Sequence, residues 1–234
     1  MITAVGKARV ISNFALTHFG AAMRFSEHAR NIETANAANE FGPFFADLSA
    51  YCAGCVVISA ASLEALINEL FIHPGPLQNS VPDFESFFWG GTETRRRYFF
   101  FKKQKIIRGI ERDSALKKYK NAVRLLGKKP LSRLDVPYEN AEALFGLRNY
   151  LIHFKPLWDE NKRNTDLEDA LDGRFEISPF VDEGADFVSK KCMSASCASW
   201  ATDTVVNFVN YFAERSELDP KKLGAFDSVR RGPA

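Results

Sequence analysis

Apolar and polar positions alternate with a helical period through most of the chain, and glycine or proline marks the breaks. Residues 7–35 carry Val10, Phe14, Phe19, Met23 and Ile32 at roughly helical spacing, which predicts a first helix. Gly42 and Pro43 open a second, which runs to Ile72. His73-Pro74-Gly75-Pro76 closes it, because proline has no N–H with which to continue the ladder. Positions 50–61 are small and apolar, so this helix is expected to be central. In its last part, SLEALINELF, Leu63, Leu66, Ile67 and Leu70 form one stripe, while Glu64, Asn68 and Glu69 point elsewhere.

Residues 105–126 read as another helix, ended by Gly127 and Pro130. Pro137 sits near the start of the next, a favoured position, and Pro156 stops it just past Phe154. Residues 157–186 are acidic and irregular, with a short helix near 167–171 and at most a short strand at 174–177. A last helix spans 188–215 and carries Trp200, Val205, Phe208, Val209 and Phe212. About six helices with little strand signal predict an all-α bundle. The expected organisation is one domain over 1–215, with residues 76–135 as a basic elaboration between core helices. Residues 216–234, with Pro220, Gly224 and Gly232, form a tail expected to be partly disordered.

Composition adds four points. At 234 residues the chain can build one sizeable core or two small ones. Its 21 phenylalanines call for an aromatic-rich core or interface. The N-terminus lacks an apolar run with a cleavage site, so no signal peptide is expected. The longest uncharged stretch, 48–63, has 16 residues and falls short of a membrane span. The expectation is a soluble, cytoplasmic protein with no membrane partner.

Charge changes the picture more. The net charge is only +2, but residues 95–133 hold 15 Lys or Arg against Glu111 and Asp113. That segment is +13, which leaves −11 on the rest. Its first part, RRRYFFFKKQK, interleaves Arg95, Arg96, Arg97, Lys102, Lys103 and Lys105 with aromatic rings. Cations guide a phosphate backbone and rings stack on bases, so this is a candidate RNA- or DNA-binding path. The same pattern suits a helix or strand with its rings packed inward. A basic face can also be merely solvated, or can pair with the acidic remainder of the same or a partner chain.

The four cysteines include Cys52-x-x-Cys55, a spacing used in redox and zinc sites. Its surroundings, YCAGCVVISAASLEALI, read as the middle of a helix. Cys192 and Cys197 are five apart, which is not a second zinc knuckle. All four are therefore expected to pack in the core.

The stretch LRNYLIHF, residues 147–154, carries candidate chemistry. At about 100° per residue, Leu144, Leu147 and Leu151 share a core stripe. Arg148, Asn149 and His153 lie away from it, with Asn149 and His153 one turn apart. Phe145 and Ile152 fall between Arg148 and Asn149, and an apolar patch there suits coverage by a second protein surface. Arg-Asn-x-x-x-His near the end of a late helix, followed by Phe-Lys-Pro, resembles the HEPN superfamily. The SLEALINEL segment also looks like that family's second core helix. The resemblance spans about residues 41–72 and 137–215.

The resemblance implies a helical bundle. It also implies a metal-independent ribonuclease without a cofactor, working as a homodimer in which two motif helices form one cleft. Arg148, Asn149 and His153 would be its catalytic residues, and Phe145 and Ile152 its dimer contacts. The residue types suit this chemistry. Histidine as a residue type titrates near neutrality and can move a proton at a ribose 2′-hydroxyl or a leaving oxygen. Arginine stays charged and grips phosphate through two hydrogen bonds. Asn149 is expected to orient His153 or to meet the substrate. His18, His28 and His73 fall on other predicted elements. Such proteins include toxins and antiviral effectors, so a cognate antitoxin or regulatory protein is a further expected partner. Some members keep the fold without nuclease activity and bind RNA, nucleotide or protein. Against the family reading stands an ordinary helix whose final histidine suits the dipole and whose arginine pairs at the surface.

Overall fold

The computed structural model describes residues 13–73, 84, 88, 110–154, 165–224 and 226. Helix α1 spans Ala15–Ala35, α2 Phe44–Ile72, α3 Ala115–Leu125, α4 Val136–Ile152, α5 Thr165–Leu171 and α6 Ala195–Ser216. Short single-turn helices lie at Ile110–Arg112 before α3, at Phe187–Lys191 before α6 and at Pro220–Leu223 after it. The described residues contain no strand, so the all-α prediction holds for them.

The bundle is organised around α2, which packs against α1, α3, α4 and α6. Close approach is possible because the facing side chains are small. Helix α1 buries Ala15, Phe19, Ala22, Ser26 and Ala29, a stripe with steps of four and three. The expected stripe of large residues is therefore displaced. Phe19 is inside, but Phe14 is 53% exposed, and Met23 and Ile32 are only half-buried. Cys55 of α2 reaches backbone carbonyls on both neighbours, 3.3 Å from Ala22 O in α1 and 3.3 Å from Ala198 O in α6. Phe25 of α1 lies on Gly54, where an added Cβ would come within 3.0 Å of its ring. By length and composition α2 could cross a membrane, because its apolar character extends past the uncharged run at 48–63. Half of its most apolar stretch is buried inside the fold.

Polar residues on α2 and α1 close the ends of neighbouring helices. The Glu69 carboxylate accepts from Phe14 N at 2.6 Å and Ala15 N at 2.9 Å, which satisfies the first turn of α1. Glu33, late in α1, accepts from Ala195 N at 2.8 Å and does the same for α6. A carboxylate suits the positive end of a helix.

Several boundaries differ from the sequence reading. The predicted last helix divides in two. Ser194 adopts an extended backbone and caps α6 by accepting from Cys197 N at 3.0 Å. Residues 174–177 form no strand; the Ser194 hydroxyl donates to Glu176 O and the Glu176 N–H donates to Ser196 Oγ, which ties that segment to the start of α6. The predicted helix over 105–126 begins as α3 only at Ala115, after the single turn at Ile110–Arg112. Within residues 110–133, Ile110, Leu116, Tyr119, Val123 and Leu131 are buried. Tyr119 is fully buried. Its hydroxyl donates to Leu63 O at 2.8 Å, and its ring meets Phe208 and Phe212 edge-on at 4.9 and 4.8 Å. The start of the tail also belongs to the core. Leu223 and Phe226 are buried, and the Phe226 ring lies 5.2 Å from Phe19.

Candidate functional site

Helix α4 positions the motif. Asp135 precedes it with an extended backbone, and Pro137 occupies its first turn. Asp135 accepts hydrogen bonds from the Tyr211 hydroxyl at 2.7 Å and from Arg215, which fastens the start of α4 to α6. The Tyr211 bond, helped by the Arg215 charge, holds the Asp135 carboxyl below its ordinary range. Leu144 and Leu147 are fully buried, and Leu151 is half-buried against the core. At about 1.5–3 kcal/mol for each buried leucine, this face holds the helix in place.

The polar residues lie off that face, as expected. Arg148 is half-buried, and Asn149 and His153 are exposed. The Arg148 Nη1 donates to Asn149 Oδ1 at 2.9 Å. Its Nη2 lies 4.0 Å from the Glu64 carboxylate of α2. Its Nε is shielded from solvent and has no acceptor among the described residues. His153 forms the C-terminal cap of α4, its backbone N–H donating to Asn149 O at 2.9 Å. Among the described residues no hydrogen bond joins its imidazole to Arg148 or Asn149. The Asn149 side chain therefore steers Arg148 and not His153. Glu64 is the site neighbour that sequence reasoning missed as such. The available signal was its place off the apolar stripe of α2.

Phe145 is half-buried and packs on the chain's own core, so its ring is partly accounted for within one copy. Ile152 and Phe154 remain open at 46% and 51% exposure. Phe154 meets Tyr150 edge-on at 5.7 Å. The apolar rim beside the motif therefore lies at the end of the helix.

The candidate RNA-binding residues Arg95, Arg96, Arg97, Lys102, Lys103 and Lys105 lie outside the described residues. The later part of the basic segment is largely engaged within the chain. Lys117 pairs with Asp113 at 2.7 Å, Lys128 with Glu217, and Arg133 with Glu142 at 3.0 Å. Lys120 sits over the Tyr138 ring at 4.4 Å. Lys118 is buried. It donates to Asn68 at 2.8 Å, lies over Phe88, and has its ammonium pushed down by burial.

All four cysteines are free and buried, as core packing requires. Burial pushes Cys55 and Cys192 up to about 12, and Cys52 and Cys197 upward as well. Among the described residues no cluster of His, Cys, Asp or Glu has the make-up of a metal site. His28 is exposed and stacks on Tyr51 at 4.9 Å, His18 lies beside Phe14, and His73 is exposed at the end of α2.

Two clefts among the described residues lie away from the motif. One of about 380 Å³ runs between α4 and α5, lined by Glu139, Glu142, Asp166 and Arg174 among others. Another of about 340 Å³ lies between the start of α4 and α6, by Asn140, Asn207 and Asn210. Neither is lined by Arg148, Asn149 or His153. No family model, curated protein or solved structure matches the chain.

Proposed function

We propose that the protein is a metal-independent endoribonuclease of HEPN type. It acts as a homodimer in which two α4 ends form one composite RNA site, in the manner of a toxin or antiviral effector held by a cognate antitoxin or regulator. The observation that carries this reading is the division of α4. Its leucines are committed to the core, while Arg148, steered by Asn149, and His153 remain at an exposed helix end with an apolar rim.

In this mechanism a ribose 2′-oxygen attacks phosphorus and the 5′-oxygen leaves, giving a 2′,3′-cyclic phosphate and a 5′-hydroxyl. The His153 imidazoles of the two copies take the proton from the nucleophile and return one to the leaving oxygen. Arg148 holds the non-bridging oxygens as charge builds on them. Phe145 at its open edge and Ile152 contribute the contact between copies. Arg95, Arg96, Arg97, Lys102, Lys103 and Lys105 would guide the RNA backbone.

The test is incubation of the full chain with structured and unstructured RNA in excess EDTA. The expected result is cleavage to cyclic-phosphate ends, lost in His153→Ala and in Arg148→Ala. Cleavage that needs added metal, or that survives both substitutions, overturns the reading.

A second reading is a non-catalytic HEPN-like dimeric module that binds RNA, nucleotide or a partner protein. What favours it is that, among the described residues, no side chain hydrogen-bonds the imidazole of His153 to fix its tautomer. It predicts that His153→Ala leaves binding intact while Ile152→Asp abolishes it.

A further inference from the structure

Three observations converge on one side chain. The guanidinium of Arg148 carries five N–H donors on three nitrogens, and in the single chain each nitrogen has a polar neighbour or is concealed. Nη1 donates to Asn149 Oδ1, Nη2 faces the Glu64 carboxylate at 4.0 Å, and Nε is shielded from solvent with no acceptor among the described residues. A phosphate is gripped best by two parallel N–H donors on one edge of the fork. In this pose the edge through Nε is closed, and the outer edge is shared by an amide and a carboxylate. Glu64 therefore sets a charge of the phosphate's own sign beside that outer edge.

We infer that Glu64 is a positioning residue of the Arg148 site: with Asn149 it holds the guanidinium in a parked pose that a phosphate must displace. The inference rests on the proposed phosphate-binding role of Arg148 and adds a residue from a second helix, α2. The charge neighbourhood agrees. Glu64 also favours the charged form of Lys118 in α3, as do Glu111 and Asp113. Glu64 is 42% exposed at its side chain, which lets it swing away without opening the core. Parking has a use in a chain whose chemistry needs a second copy, since a lone subunit then binds RNA weakly.

The experiment measures binding of a fluorescent single-stranded RNA in EDTA at fixed salt, with His153→Ala present throughout so that the probe stays intact. On that background Glu64→Gln is compared with Arg148→Ala and with the two combined. One unit charge removed from about 4 Å in a water-like medium corresponds to about a fivefold change in affinity. The expected result is about fivefold tighter binding in Glu64→Gln, an effect that vanishes when Arg148 is also alanine. Glu64→Asp, which keeps the charge, stays near the parent affinity and controls for any loss of packing. If Arg148→Ala weakens binding but Glu64→Gln leaves it unchanged or weaker, the parked pose is refuted while the site stands. If the Glu64→Gln gain persists without Arg148, the carboxylate acts by general repulsion and the positioning role is refuted. If Arg148→Ala has no effect, the site reading itself fails and takes this inference with it.

Discussion

Leu147 and Arg148 are adjacent in sequence and opposite in predicted consequence. Leu147 is fully buried in α4, and truncation to alanine removes three carbons from a packed site. Such substitutions cost about 2–5 kcal/mol, the loss of transfer energy plus the cavity left behind. For a chain of this size each kcal/mol lowers the melting temperature by roughly 2–4 °C, so a cost near 3 kcal/mol predicts a drop of about 6–12 °C. Arg148→Ala loses one hydrogen bond to exposed Asn149 and one long, partly exposed contact with Glu64. Surface-type pairs of this kind contribute about 0–1 kcal/mol. The substitution also removes a buried N–H that has no acceptor among the described residues, which offsets part of the loss. The expected shift is therefore within about 2–3 °C. Urea and thermal unfolding, followed by far-ultraviolet circular dichroism, measure both. If Arg148→Ala destabilises as much as Leu147→Ala, the arginine is a structural element of the bundle, and the division of α4 into a core face and a chemical face is wrong.

Asp135 gives a pH test. Its carboxyl is held low by Tyr211 and Arg215, so the stability it contributes is present above the unfolded aspartate range near 3.9 and disappears as pH falls through the lower folded value. Asp135→Asn should flatten the acid limb of the stability curve, and an unchanged limb refutes the anchoring of α4 through that carboxyl. The four buried thiols should react with a thiol reagent only as fast as the fold opens, and fast labelling of any one of them in native buffer would contradict their core placement. Lys118→Met should leave RNA affinity unchanged, because that amine is buried against Asn68 and Phe88. A marked loss of affinity would return this part of the basic segment to the binding surface.

Much of the fold is legible in local pattern. Gly42-Pro43 and Pro137 mark real helix starts, and the Leu63, Leu66, Ile67 and Leu70 stripe is buried throughout. The polar residues beside that stripe are informative in a way that periodicity cannot express. Glu64 faces Arg148, Asn68 holds Lys118, and Glu69 closes α1. Each partner lies at least 50 residues away in the chain, so only tertiary structure reveals the pairing. The core face of α1 was hidden for a different reason. Its buried residues are mostly alanine and serine, and larger exposed neighbours such as Phe14 dominate any reading by hydrophobicity. The break at Ser194 carried a readable signal, a serine before a helical run, but the apolar residues on both sides masked it. The candidate site was legible as a motif. Its dependence on α2, and the partial burial of Phe145, were not.

The central claim is that the exposed end of α4 meets its own copy in a second chain. Ile152→Cys places an accessible thiol there in a protein whose native thiols are all buried. Treatment with a short bismaleimide should give a covalent dimer in high yield. Leu134→Cys, 87% exposed and just ahead of the opposite end of α4, should give none. A monomer band for Ile152→Cys under conditions that cross-link Leu134→Cys would place the contact between copies elsewhere and contradict the composite site.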